Sequence, residues 1–144
     1  SHAEVGALLA KEDLPFQQIV AGETKEIGGF EIQAIEAPHE PVVGLQPYNL
    51  AFLINSRFLH PGDSLSLATI PKCEVLALPV AGPFLRQVDA LGFARRVQPK
   101  HVIPIHDVII KDFSLEGVYN RCKGYLEKGH ISFHPLKLGE KLEL

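Results

Sequence analysis

The sequence of 144 residues lacks features that would indicate several common classes of protein. No apolar run approaches the ~20 residues that a transmembrane helix requires, and the first residues do not resemble a signal peptide. With 14 Lys and Arg against 17 Asp and Glu, the formal net charge of -3 provides no basic surface for a phosphate backbone. We therefore expect a cytoplasmic protein with neither a membrane nor a nucleic acid as partner.

Several catalytic motifs are also missing. The sequence contains no His-Glu-x-x-His, no Gly-x-x-x-x-Gly-Lys-Ser/Thr, no Gly-x-Gly-x-x-Gly and no Gly-x-Ser-x-Gly. These absences argue against zincins, P-loop proteins, dinucleotide-binding domains and serine hydrolases. Methionine is absent too, and the chain opens at Ser1. Either an initiator has been removed, or these residues are the later part of a longer protein.

Cysteine is scarce. Cys73 and Cys122 lie in apolar surroundings without the spacing of metal ligands, which favours free thiols packed in a reduced interior. A thiol enzyme is a weaker alternative, because neither cysteine has a neighbouring base in the sequence.

What is present indicates one ordinary α/β domain over residues 1–144. A hydrophobic content of 46% and a charged content of 22% are typical of globular proteins of this length. A capping box from Ser1 to Glu4 predicts a short first helix, and longer helices are predicted over 84–97 and from Ser114 to about Lys128. Strands are predicted at 16–20, 24–27, 30–35, 50–54, 57–60, 74–80, 102–105, 131–133 and 141–144.

Three polar side chains come directly after predicted strands. Asp63 follows Pro61 and Gly62, which end the apolar run before them, while His39 and His106 follow strands through segments that contain proline. Open sheets gather functional groups at such strand ends, so these three residues are candidate metal ligands. His60 and His101 lie at the ends of predicted strands and are expected to be half-buried and hydrogen-bonded, whereas His2, His130 and His134 are expected to be solvated.

Four segments together resemble successive blocks of the metallo-β-lactamase superfamily. They are Ala-Pro-His-Glu at 37–40, Leu-His-Pro-Gly-Asp-Ser at 59–64, Leu-Ala-Leu-Pro-Val-Ala-Gly-Pro-Phe at 76–84 and Pro-Lys-His-Val-Ile-Pro-Ile-His at 99–106. The branch that looks most similar is that of the small cytoplasmic metal-dependent hydrolases, which includes the ascorbate-phosphate lactonase-like proteins.

The resemblance implies an α/β fold, the αββα sandwich, with a mixed sheet and helices on its outer face. It implies that His39 binds one metal ion, that Asp63 bridges two ions and is catalytic, and that His106 binds the second ion. Imidazole and carboxylate ligands suit Zn²⁺ or Mn²⁺, and two such ions would activate water for attack on an ester, lactone, amide or phosphoester.

One family feature is absent from the sequence. The signature His-x-His-x-Asp-His, which supplies the remaining ligands, has no counterpart here. We therefore expect residues 1–144 to be mainly the second half of the fold, the C-terminal portion of a longer hydrolase domain, and incomplete as an enzyme. The alternative is a non-catalytic, degenerate domain that serves packing or partner binding. An isolated half would expose the inner face of its sheet, which predicts a homo-oligomer.

Overall fold

A computed structural model describes residues 1–44 and 46–144, and these residues form a single mixed sheet with three α-helices. The helices are α1 (Ala3–Lys11), α2 (Gln87–Val97) and α3 (Asp112–Glu127). The strands are β1 (Thr24–Ile27), β2 (Phe30–Glu36), β3 (Leu50–Ile54), β4 (Phe58–His60), β5 (Val75–Pro79), β6 (His101–Ile105) and β7 (Ser132–Phe133). The predicted α/β class with a mixed sheet is confirmed.

The strands lie in the sheet in the order in which they occur in the sequence, from β1 to β7. Strands β1 to β4 pair antiparallel, and β4 to β7 pair parallel. Tight turns connect β1 to β2 at Gly28-Gly29 and β3 to β4 at Asn55-Ser56. All four turn residues have positive φ, between 51° and 81°. Turns with two positive φ values match the twist of the paired strands, which explains why Gly-Gly and Asn-Ser predicted these hairpins.

This topology determines where strand ends meet. Because β3 is antiparallel to both of its neighbours, the carboxyl ends of β2 and β4 lie on the same edge of the sheet, beside the start of β3. Strands β5 and β6 run parallel to β4, so they also end there. We call this edge the ligand rim, since the segments with His39, Asp63 and His106 leave the sheet from it.

The main core lies between one face of the sheet and helices α2 and α3. Alternate residues of β3 to β6 point into it, among them Leu53, Leu59, Leu76 and Val102. Phe93 of α2 is fully buried there, as is Cys122 of α3. Burial of this apolar surface anchors the strands whose ends form the ligand rim.

The opposite face of the sheet is less completely covered. Ile19 packs on Ala34 and Leu50 in a small second cluster. Beside it, the start of α1 and residues of β2 and β3 line an open, mainly apolar cavity of about 510 Å³. None of the helices among the described residues combines the length and apolar character needed to cross a bilayer.

Two predicted strands are wrong. Residues 16–20 form no strand, because Ile19 buries its side chain against the second face of the sheet and gives its N–H to the carbonyl of Ser1 (3.0 Å). Residues 141–144 also lack strand structure. Apolar alternation predicts burial in both segments, but it does not specify a backbone partner.

The predicted helix starts are also displaced. No side-chain hydrogen bond caps α1, whose N-cap residue is His2, and the carboxylate of Glu4 instead accepts the N–H of Tyr48 (3.1 Å). Helix α2 begins at Gln87 rather than 84, and α3 begins at Asp112, before the predicted cap Ser114. Helix ends depend on local bonds that apolar periodicity does not encode.

Candidate metal centre

The structure brings His39, Asp63 and His106 together at the ligand rim. The Nε2 atom of His39 lies 3.2 Å from Oδ2 of Asp63, and Nε2 of His106 lies 2.6 Å from Oδ1 of the same carboxylate. The side chain of His39 is 9% exposed, that of Asp63 27% and that of His106 39%, so the group is accessible from the His106 side. One carboxylate therefore bridges two imidazoles from separate strand ends.

The hydrogen bonds of His39 favour its use as a ligand. Its Nδ1 atom lies 2.5 Å from the carbonyl oxygen of Glu40, which can only accept a hydrogen bond. The proton of a neutral His39 ring is therefore placed on Nδ1, and Nε2 turns a lone pair toward Asp63. A lone pair facing a carboxylate oxygen is favourable only with a cation between them, either a proton or a metal ion.

The donor set fits such an ion with a small adjustment. Two ligand atoms of one ion lie roughly 3.0–3.5 Å apart when each bond to the metal is about 2.1 Å. The His39–Asp63 separation is already in that range, whereas the His106–Asp63 separation must lengthen by several tenths of an ångström. Consistent with this, no group of three His, Cys, Asp or Glu side chains within residues 1–44 and 46–144 is already arranged to hold a metal ion.

The backbone at His106 is unusual for its residue type. His106 has φ 63° and ψ 17°, in the left-handed region that residues with a side chain avoid. This conformation costs roughly 1–2 kcal/mol, so the surrounding structure must impose it. The consequence is that the ring turns back over the rim toward Asp63 just after β6 ends.

An aromatic side chain contacts both imidazoles. The ring of Phe84 packs edge-on against His39, with centroids 5.1 Å apart, and against His106, with centroids 5.9 Å apart. Phe84 follows β5, whose end lies between those of β4 and β6 on the rim. It therefore forms an apolar wall that limits how far either ring can turn.

His60 supports the loop and does not join the group. Its Nδ1 atom accepts the N–H of Gly62 (3.1 Å), as expected for a half-buried, hydrogen-bonded imidazole. Burial lowers the pKa of His60, and positive charge on His106 lowers it further, although the Asp63 carboxylate acts in the opposite direction. The neutral ring is thus the favoured form, which suits an acceptor nitrogen.

The remaining histidines and the cysteines do not contact this group. His2 was predicted to be solvated, but it is half-buried. His134 was predicted to be solvated, but it is half-buried and its Nε2 lies 3.0 Å from Nδ1 of His101. Burial raises the pKa of the Cys73 thiol to about 11 and also raises that of Cys122. Both thiols are therefore poor nucleophiles, which argues against the thiol-enzyme alternative.

Sequence reasoning missed the residues that support the group. Glu40 links the segment after β2 to the segment after β4. Its N–H donates to the carbonyl of Asp63 (2.9 Å), and its carboxylate accepts the N–H of Leu65 (2.8 Å). Asn49 and Phe84 were not singled out either. Glu40 and Phe84 each carried a signal, because both belong to segments that resemble the superfamily.

The fold and the arrangement at the rim together define a class of protein. A mixed sheet with helices packed on one face, and with histidine and aspartate at neighbouring strand ends, is a metallo-β-lactamase-like domain. The chain belongs to the family described as the Beta-lactamase superfamily domain, which matches residues 3–106 and so ends at His106. The resemblance inferred from the sequence is confirmed at the level of the superfamily.

One curated protein and two solved structures are similar to this chain, and the solved structures share its fold. The chain is 28% identical over 113 residues to Protein Rv0786c of Mycobacterium tuberculosis, a match that covers 75% of this chain and 48% of that protein. Its fold is similar to that of Igni18, a metallo hydrolase from the archaeon Ignicoccus hospitalis, with a TM-score of 0.68 and 19% identity over 96% of this chain and 65% of the other. A protein from Parabacteroides distasonis assigned as a metal-dependent hydrolase gives a TM-score of 0.59 and 18% identity over 88% of this chain and 60% of the other. The chain thus spans about half the length of its curated relative.

Proposed function

We propose that this chain is part of a metal-dependent hydrolase, to which it contributes His39, Asp63 and His106 as ligands of Zn²⁺ or Mn²⁺. The observation that carries the proposal is the contact of two imidazole Nε2 atoms with the two oxygens of one carboxylate. When bound, such ions polarise the bond to be cleaved and make water nucleophilic near neutral pH. The proposed substrate is a small molecule with an ester, lactone, amide or phosphoester bond.

Each residue has a distinct part in this proposal. Asp63 offers one oxygen to each histidine side of the group, so it is suited to bridge two ions and is the proposed catalytic carboxylate. His39 is held by the Glu40 carbonyl, which fixes its ring and leaves Nε2 free to bind. His106 is the most exposed of the three and lies where a substrate could enter. The sequence has no His-x-His-x-Asp-His segment, so further ligands for a second ion would have to come from elsewhere.

Metal binding to the purified chain tests the proposal. Calorimetric titration with Zn²⁺ and with Mn²⁺ should show binding that His106→Asn weakens strongly. His130→Asn is the matched control, because His130 is also exposed and also has positive φ, 59° against 63° for His106. Asparagine tolerates this backbone conformation, so neither change adds strain. Equal metal uptake by wild type and His106→Asn would instead support the non-catalytic alternative.

We also propose that the chain associates with a second copy through the less completely covered face of its sheet. In β6, Val102 points into the core, so Ile103 and Ile105 point to the opposite face, where both are only half-buried. A second sheet laid on this face would bury them. Light scattering should find a dimer for wild type and a monomer for Ile103→Lys, whereas Ile70→Lys, at an exposed loop position, should leave the dimer intact. A wild-type monomer would contradict this proposal.

Two free thiols are in keeping with the cytoplasmic location we propose for the protein.

A further inference from the structure

We propose that Asn49 is a positioning residue that holds the segments carrying His39 and Asp63 in register at the ligand rim; this inference rests on the proposed function. Its side-chain nitrogen donates to the carbonyl of Ala37 (2.8 Å) and to that of Pro61 (3.0 Å). Its side-chain oxygen accepts the N–H of Asp63 (3.2 Å). One amide therefore joins the chain two residues before His39 to the backbone of Asp63 itself.

The position of Asn49 in the topology explains this reach. It directly precedes β3, which lies between β2 and β4 and is antiparallel to both. Ala37 is the first residue after β2, and Pro61 is the first after β4. Asn49 is thus placed so that its side chain faces both of the strand ends that flank β3.

The chemistry of the amide matches the groups around it. Ala37 and Pro61 are buried, so each of their two carbonyl oxygens needs a hydrogen-bond donor. A carboxylate or a hydrocarbon side chain has no donor hydrogen, and a hydroxyl has only one. The Asp63 N–H needs an acceptor at the same time. Asparagine provides two donor hydrogens and an acceptor oxygen on one short side chain, and here all of these are used.

Gly62 shows how closely the asparagine is inserted. A Cβ placed on Gly62 would lie only 2.0 Å from Oδ1 of Asn49, and Gly62 has φ +61°. Any side chain at position 62 would displace the amide from the Asp63 N–H. The sequence Pro-Gly-Asp therefore serves more than the turn, since it leaves space for Asn49 beside the proposed ligand.

Hydrogen exchange of the metal-free chain tests the positioning role at a bond that Asn49 does not make. The Glu40 N–H donates to the Asp63 carbonyl across the two segments. In Asn49→Asp, which loses both donors, we expect the Glu40 amide to exchange at least about tenfold faster, while amides of β5 exchange as in wild type. Unchanged exchange at Glu40 would show that the segments hold together without Asn49 and would overturn the inference.

Metal affinity gives a second readout with a diagnostic sign. If charge alone mattered, the added carboxylate of Asn49→Asp would strengthen Zn²⁺ binding, whereas loss of positioning should weaken it about 10–100-fold. Asn55→Asp is the matched control, because the Asn55 oxygen only accepts the N–H of Glu31 (2.9 Å) and aspartate keeps that bond. A purely structural role would lower the melting temperature and leave the affinity unchanged.

The outcomes separate this inference from the proposed function. If wild type binds Zn²⁺ no better than His106→Asn, the proposed metal centre fails. If that difference is present and Asn49→Asp binds Zn²⁺ as tightly as wild type, only the role of Asn49 fails.

Discussion

Two pairs of histidines at opposite ends of strand β6 have different surroundings. His106, just past the end of β6, approaches His39 through the carboxylate of Asp63, whereas His101, at the start of β6, contacts His134 directly with 3.0 Å between ring nitrogens. In the direct pair, one N–H can be shared between two neutral rings, and no cation is required. In the bridged pair, the carboxylate supplies the negative charge that a metal ion needs.

An acidic residue that contacts the start of β6 through its backbone is already engaged. The carbonyl of Glu74 accepts the N–H of His101, but its carboxylate pairs with Arg57 (2.7 Å) and Lys100 (3.1 Å). These partners lower the pKa of Glu74. The two histidine pairs therefore differ in one respect: the ligand rim has a carboxylate without a Lys or Arg partner between its imidazoles, and the start of β6 does not.

The largest expected effect comes from removing that acid. Asp63→Asn keeps the size of the side chain and removes its charge, so Zn²⁺ affinity should fall by more than about 100-fold, beyond the 10–100-fold typical for loss of a supporting residue. Calorimetric titration measures the change. Asp112→Asn, at the exposed start of α3, should bind as wild type does. Retention of full affinity by Asp63→Asn would remove the distinction between the two histidine pairs.

A smaller effect is expected from a change in the turn that positions the acid. Gly62→Ala introduces strain at positive φ, roughly 1–2 kcal/mol, and a clash with Asn49 that adds roughly 1–3 kcal/mol. Gly139→Ala is the control, because Gly139 has φ +84° and open space around its Cβ position, so it isolates the strain. Denaturant unfolding should show the larger loss of unfolding free energy for Gly62→Ala. Equal losses would mean that the close approach of Asn49 does not matter.

The ligand rim was predictable from the sequence because strand ends are marked by local features. Pro38 lies just after β2, and Pro61 and Gly62 directly follow β4. The βαβ unit of β5, α2 and β6 fixes a parallel pair and so places the end of β6 on the same edge. Polar residues after such strands must share one edge of the sheet. The convergence of the three side chains follows from this topology.

The supporting residues were not predictable, since their contacts join segments far apart in the sequence. Asn49 lies 12 residues from both Ala37 and Pro61, and Phe84 reaches His39 from the end of β5. An asparagine before a strand usually indicates a turn, and nothing local distinguishes a residue that bonds two loops. The pairing of His134 with His101 was missed for the same reason, because it depends on the parallel placement of β7 beside β6.

The smallest expected effect concerns the direct histidine pair and the pH dependence of stability. Burial lowers the pKa of His134, and positive charge on His101 lowers it further, so the folded protein binds a proton there less readily than the unfolded chain. Below about pH 6.5, the usual pKa of histidine, the unfolded chain gains a proton at this site that the folded chain resists, and acidification therefore favours unfolding.

His134→Gln removes this contribution and keeps a side chain that can hydrogen-bond to His101. Its unfolding free energy should accordingly fall less than that of wild type between pH 7.5 and pH 5.5, in denaturant titrations at each pH. His130→Gln, at an exposed turn, should follow the wild-type curve. If His134→Gln followed it too, the contact between the two rings would not resist protonation, and the direct pair would be as open to a cation as the bridged one.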